Sequence, residues 1–116
     1  MYRHPNEYLQ HIADECSYLL SLKNKVDKEQ FLEDETLKRA VVRSLEIIGE
    51  ASKKIPKEFK ERWTTLEWKS MSGMRDRLIH DYMGVNYLIV WDVLETKIPL
   101  LDQALRQISE DEGESS

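Results

Sequence analysis

The stretch Glu35-Thr36-Leu37-Lys38-Arg39-Ala40-Val41-Val42-Arg43-Ser44-Leu45-Glu46-Ile47-Ile48-Gly49-Glu50-Ala51-Ser52-Lys53-Lys54 decides the fold. Leu37, Val41, Leu45, Ile48 and Ala51 recur every three or four residues, which aligns them on one stripe of an α-helix and leaves charged side chains on the other faces. Asp34, just ahead of the run, is placed to cap the free N–H groups of the first turn.

The same period extends outward in both directions. Residues 5–24 carry Leu9, Ile12, Ala13, Cys16, Leu19 and Leu20 on one helical face, with Asn6 after Pro5 as the expected cap. Residues 27–33 are polar apart from Phe31 and Leu32, so a linker with at most a short helix is expected there. Pro56 suits the start of a new turn, and residues 57–63 fit a short helix. A third long helix should begin with Thr64 or Thr65 as cap, with Glu67 closing a capping box, and should stop near Gly84. Asn86 then caps a last helix bearing Leu88, Val90, Trp91, Leu94, Ile98, Leu101, Leu105 and Ile108, with a kink at Pro99, which lacks a backbone donor. The expected architecture is all-α: an antiparallel bundle of four main helices over residues 1–109, and an acidic disordered tail over 110–116.

Composition limits the function classes. The 116 residues suffice for one domain. Four glycines and three prolines are few for an all-β chain, and no apolar run approaches the length of a membrane span. The opening Met1-Tyr2-Arg3-His4-Pro5 has no apolar signal-peptide segment, so a soluble, cytoplasmic protein is expected. Cys16 is alone, which excludes an internal disulfide and reads best as a small buried residue. No Cys/His set has zinc spacing, no glycine-rich loop suits a nucleotide phosphate, and Ser70 and Ser72 lack a nucleophile elbow. Trp63, Trp68 and Trp91 read as packing anchors. The net charge of -5 does not advertise nucleic-acid binding, yet residues 53–80 hold eight basic groups against four acidic ones, a local +4.

Chemistry concentrates in Arg75-Asp76-Arg77-Leu78-Ile79-His80-Asp81-Tyr82. On a wheel of about 100° per residue, Met71, Met74, Leu78 and Tyr82 share the core stripe, whereas Asp76 and His80 point away from it. That argues against a satisfied core histidine. A solvated surface histidine and a site histidine both fit. Asp76 lies one turn before His80, where a carboxylate favours the imidazolium and orients the ring. Arg75 and His80 lie about 140° apart on a continuous helix. They can share one small ligand if the helix distorts, or if two subunits each contribute a group.

These residues resemble the arginine, polar residue, spacer, histidine signature of the HEPN superfamily. Tyr82, two places after the histidine, narrows the resemblance to the HepT-like toxins of prokaryotic type VII toxin-antitoxin pairs. Glu46-Ile47-Ile48-Gly49-Glu50-Ala51-Ser52-Lys53 and Gly84-Val85-Asn86-Tyr87-Leu88-Ile89-Val90-Trp91 are similar to two further segments of that family, and the likeness runs from the first helix to about Ile108. The resemblance implies a metal-independent, cofactor-free endoribonuclease, acting as a homodimer whose two motifs face one cleft. In it Arg75 would hold the scissile phosphate of an RNA substrate, His80 would move the proton, and Asp76 would orient His80. It also implies a cognate minimal nucleotidyltransferase antitoxin that transfers AMP from ATP to Tyr82. Glu46 and Glu50, one turn apart, would either approach the motif or remain solvated. Two other functions are compatible with the chain: a non-catalytic HEPN module that docks a nucleotidyltransferase and binds nucleotides, and a helical adaptor whose motif forms salt bridges in a dimer.

Overall fold

The computed structural model describes residues 5–78 and 84–114. It is an all-α bundle. Helix α1 (Pro5–Lys23) packs on α3 (Glu35–Lys54) and on α8 (Ile98–Glu114), and α3 in turn carries α5 (Trp68–Ser72) and α6 (Met74–Leu78). Two six-residue helices, α2 (Lys28–Glu33) and α4 (Lys57–Arg62), flank α3 at its two ends. Helix α7 (Tyr87–Asp92) runs through a π turn (Val93–Lys97) directly into α8. None of the described helices is long and apolar enough to cross a membrane.

The stripe of α3 is buried as its spacing requires: Val41, Leu45 and Ile48 are fully enclosed, and Ala51 nearly so. Local capping sets the boundaries. The Asp34 carboxylate accepts from the Leu37 N–H at 2.9 Å, and the Asn86 side-chain oxygen accepts from the N–H groups of Leu88 at 3.1 Å and Ile89 at 3.3 Å. Pro56 precedes α4 as expected. Asp27 and Gln30 form a reciprocal capping box at 2.9 Å each, which supports α2. Within α2, Phe31 is fully buried, its ring centroid 5.3 Å from that of Trp91, so a segment expected to be mostly polar linker supplies a core plug.

Three local expectations are corrected. Asn6 lies inside α1 and does not cap it. The third helix is not continuous: Gly73, at φ -88° and ψ 4°, separates α5 from α6. It also starts later than Thr64 or Thr65, and Glu67 at its N-cap makes no side-chain capping bond. The Trp68 indole N–H donates instead to the Trp63 carbonyl at 3.0 Å, tying down the 63–68 connection so that helix resumes only at Trp68. The backbone of α8 runs to Glu114.

A kink was expected at Pro99; Pro99 stands in the first turn of α8, and a π turn lies one turn ahead of it. There the Ile98 N–H reaches back five residues to the Val93 carbonyl, and the Thr96 hydroxyl donates to the Asp92 carbonyl at 2.8 Å. The register shift keeps both Val93 and Leu94 facing the core together with Ile98.

Candidate functional site at the end of helix α6

The site is built on the contact between α3 and α5. A Cβ on Gly49 would lie 3.2 Å from the Met71 carbonyl oxygen, a tight contact that glycine avoids where the two backbones approach. Ser52, one turn on, is fully buried and donates its hydroxyl to the Ile48 carbonyl at 2.6 Å. The Ile-Gly-Glu-Ala stretch therefore serves as the bearing surface under the motif-carrying helices. Met71, Met74 and Leu78 are buried, as the wheel predicts.

From that bearing α6 turns its other face outward. Asp76 and Arg77 are both exposed. The backbone of Arg75 lies in α6, but its side chain, together with His80, Asp81 and Tyr82, falls outside the described residues. What is described is how the two ends of that segment are held. The Asn86 N–H donates to the Leu78 carbonyl at 3.1 Å, closing the chain across the residues that include His80 and Tyr82. Gly84 has φ +90°, the left-handed conformation expected of a stop residue there. Downstream, the Lys38 ammonium sits 4.6 Å from the centre of the Tyr87 ring, which fixes the first residue of α7 against α3. Lys38 also pairs with Glu35 at 2.9 Å, and that hydrogen bond, with the charge of the ammonium, holds the Glu35 carboxyl below its usual range. On α3, Glu46 is half-buried and Glu50 exposed.

Beside α6 lies a feature that sequence reasoning missed. A cavity of about 110 Å³ opens between α5–α6 and α7–α8, walled by apolar residues including Met71, Met74, Ile89, Val93 and Leu101, with Arg77 and Lys97 also lining it. Leu100, on its wall, is 64% exposed, and Leu88 at the start of α7 is 57% exposed. The only sequence signal was Arg77 flanking the Met74–Leu78 stripe. Lys97, twenty residues later, reaches the same recess only through the tertiary fold.

The family model for HepT-like ribonucleases matches residues 8–108, from the first turn of α1 into the second half of α8. The chain belongs to the HepT-like family. It is 47% identical over 108 residues to "Putative RNase TTE0752" of Caldanaerobacter subterraneus subsp. tengcongensis, an alignment spanning 93% of this chain and 96% of the relative. It is 41% identical over 101 residues to "Probable ribonuclease HepT" of Thermococcus cleftensis, spanning 87% and 92%. No solved structure matches it. Membership gives the outward-facing end of α6 its chemical interest, because the match includes the whole run Arg75–Tyr82.

Proposed function

We propose that this HepT-like chain is a metal-independent endoribonuclease that works as a homodimer, the toxin of a pair whose partner is a minimal nucleotidyltransferase. One observation carries the reading: Asp76 and Arg77 of α6 stand in solvent, Arg77 lines an exposed apolar recess, and the Leu78–Asn86 hydrogen bond joins the described residues on either side of the motif's second half. Covering that recess with a second copy would bring the two α6 helices, and so two motifs, toward one twofold axis. This supports a shared cleft.

In the cleft the RNA 2'-hydroxyl attacks the adjacent phosphorus. His80 takes the hydroxyl proton, and the leaving 5'-oxygen gains a proton as its bond to phosphorus breaks, leaving a 2',3'-cyclic phosphate. The Arg75 guanidinium offsets charge on the non-bridging oxygens, and Asp76 orients the imidazole. DNA, without the attacking hydroxyl, is not a substrate. Control is exerted at Tyr82: its oxygen attacks the α-phosphorus of ATP on the partner, pyrophosphate leaves, and the hydroxyl proton is released. The attached AMP adds bulk and negative charge beside the cleft and repels RNA.

The test is cleavage of a structured RNA in the presence of a chelator by the wild-type chain, His80→Ala and Arg75→Ala, with analysis of the ends produced. Cyclic phosphate ends from the wild type alone support the reading. Equal cleavage by all three proteins removes the catalytic assignment.

A further inference from the structure

Six basic side chains crowd the corner where α3 ends, α4 runs and α5 begins. Over residues 53–69, Lys53, Lys54, Lys57, Lys60, Arg62 and Lys69 stand against Glu58, Glu61 and Glu67; this local +3, in a chain of -5, leaves -8 for all other residues. Lys60 is half-buried and the other five are exposed. Lys53 and Lys54 offset the negative end of the α3 dipole, but the remaining four exceed that need.

The corner also has a rigid base. The Lys60 ammonium lies 5.8 Å from the centre of the Trp68 ring, and the Arg62 guanidinium lies 5.6 Å from the Phe59 ring and 6.0 Å from the Trp63 ring. These rings pack on one another, Phe59 on Trp63 at 5.4 Å and Trp63 on Trp68 at 6.4 Å. Two long cationic side chains are thus partly ordered before any ligand arrives, which lowers the entropy lost on engaging an anion. The rings are occupied by packing, so the corner offers charge rather than a base-stacking platform. It adjoins the motif. Trp68 and Lys69 open α5, and Arg75 follows within seven residues, in α6.

We infer that this basic corner anchors the phosphate backbone of RNA, next to the residues that cut it and separate from them. The inference rests on the ribonuclease reading for its choice of RNA among polyanions. Contacts of this kind recognise the backbone without regard to sequence and weaken with salt.

The test measures binding of a fluorescein-labelled oligouridylate in the His80→Ala background, where the probe stays intact. Lys57→Gln/Lys60→Gln/Lys69→Gln is compared with Lys23→Gln/Lys25→Gln/Lys28→Gln, which removes the same charge at the opposite end of α3. The corner variant should lose about tenfold or more in affinity, and its salt slope should flatten by about 2, roughly 0.7 per lysine. The control should keep the parent values. Lys53→Gln/Lys69→Gln leaves every cation–π contact in place and should show the same effect at about two-thirds of the slope change. Equal affinities and slopes in corner and control variants overturn the inference. So does retained RNA affinity with lost binding of polyglutamate, which would place an acidic protein on this face. Cleavage is scored separately. If no protein cuts RNA but the corner variants still lose affinity, the ribonuclease reading fails and the anchoring site stands.

Discussion

The Asn86 N–H is bonded to the Leu78 carbonyl at 3.1 Å, and this one hydrogen bond joins the two ends of the segment containing His80 and Tyr82. The Asn86 side chain is engaged as well, capping α7 through the N–H groups of Leu88 and Ile89. Asn86→Ala removes the cap and should cost about 1 kcal/mol of stability. Because it also loosens the downstream anchor of the motif, RNA cleavage should fall by more than the loss of folded protein explains. Asn86→Asp, which keeps the accepting oxygen, should restore both thermal stability and cleavage. Cleavage equal to wild type in Asn86→Ala would show that this anchor does not position the motif.

Gly49 tests the bearing under the motif. A branched side chain there meets a backbone carbonyl, Met71 O, rather than a movable side chain. Gly49→Val should destabilise by about 1–3 kcal/mol, the usual cost of overpacking, and should depress activity by displacing α5 and α6. Gly49→Ala should do less, since better helix propensity of about 1 kcal/mol opposes a contact only slightly too close. Denaturant midpoints of the two variants, compared with wild type, check the order.

Cys16 reports on the packing of α1 against α8. Burial, assisted by the negative charges of Asp102 and Glu15, pushes its thiol from an ordinary 9.0 up to about 12. A raised folded-state value means that the stabilising difference is intact below pH 9. It is lost as pH rises toward 12, because the unfolded thiol ionises first. Alkaline unfolding should therefore show a contribution of roughly 3–4 kcal/mol that Cys16→Ala lacks. At neutral pH the folded thiol should resist alkylation by iodoacetamide; rapid reaction there would contradict its burial.

Tyr82 carries the proposed control. Co-expression with the nucleotidyltransferase partner should yield protein whose Tyr82 peptide bears AMP by mass spectrometry, with cleavage suppressed. Tyr82→Phe should remain growth-arresting in the presence of that partner. Full neutralisation of Tyr82→Phe would mean that the partner acts without modifying this residue.

Much of the fold was legible because its signals are local. The α3 stripe, the Asp34 and Asn86 caps and the turn at Pro56 each depend on residues within four positions of one another. Features set by distant residues were not legible. Phe31 reads as part of a short apolar pair in a polar stretch until Trp91 arrives from α7 to pack on it, and Gly73 divides the third helix where the amphipathic pattern runs on. For the site, residue types were readable from the motif, and the wheel placed Asp76 outward where the structure also has it. The recess shared by Arg77 and Lys97, and the aromatic base beneath Lys60 and Arg62, required the π turn and α4 to be placed first.

The central claim, that a guanidinium from one copy and an imidazole from another act on one phosphodiester, is tested most directly by mixing subunits. Arg75→Ala and His80→Ala should each be inactive alone. After dissociation and random reassociation, half the pairs are mixed and each mixed pair holds one intact Arg75–His80 combination, so about a quarter of wild-type cleavage should return. Subunit exchange demonstrated by differently labelled copies, with no recovery of cleavage at any mixing ratio, would contradict the account.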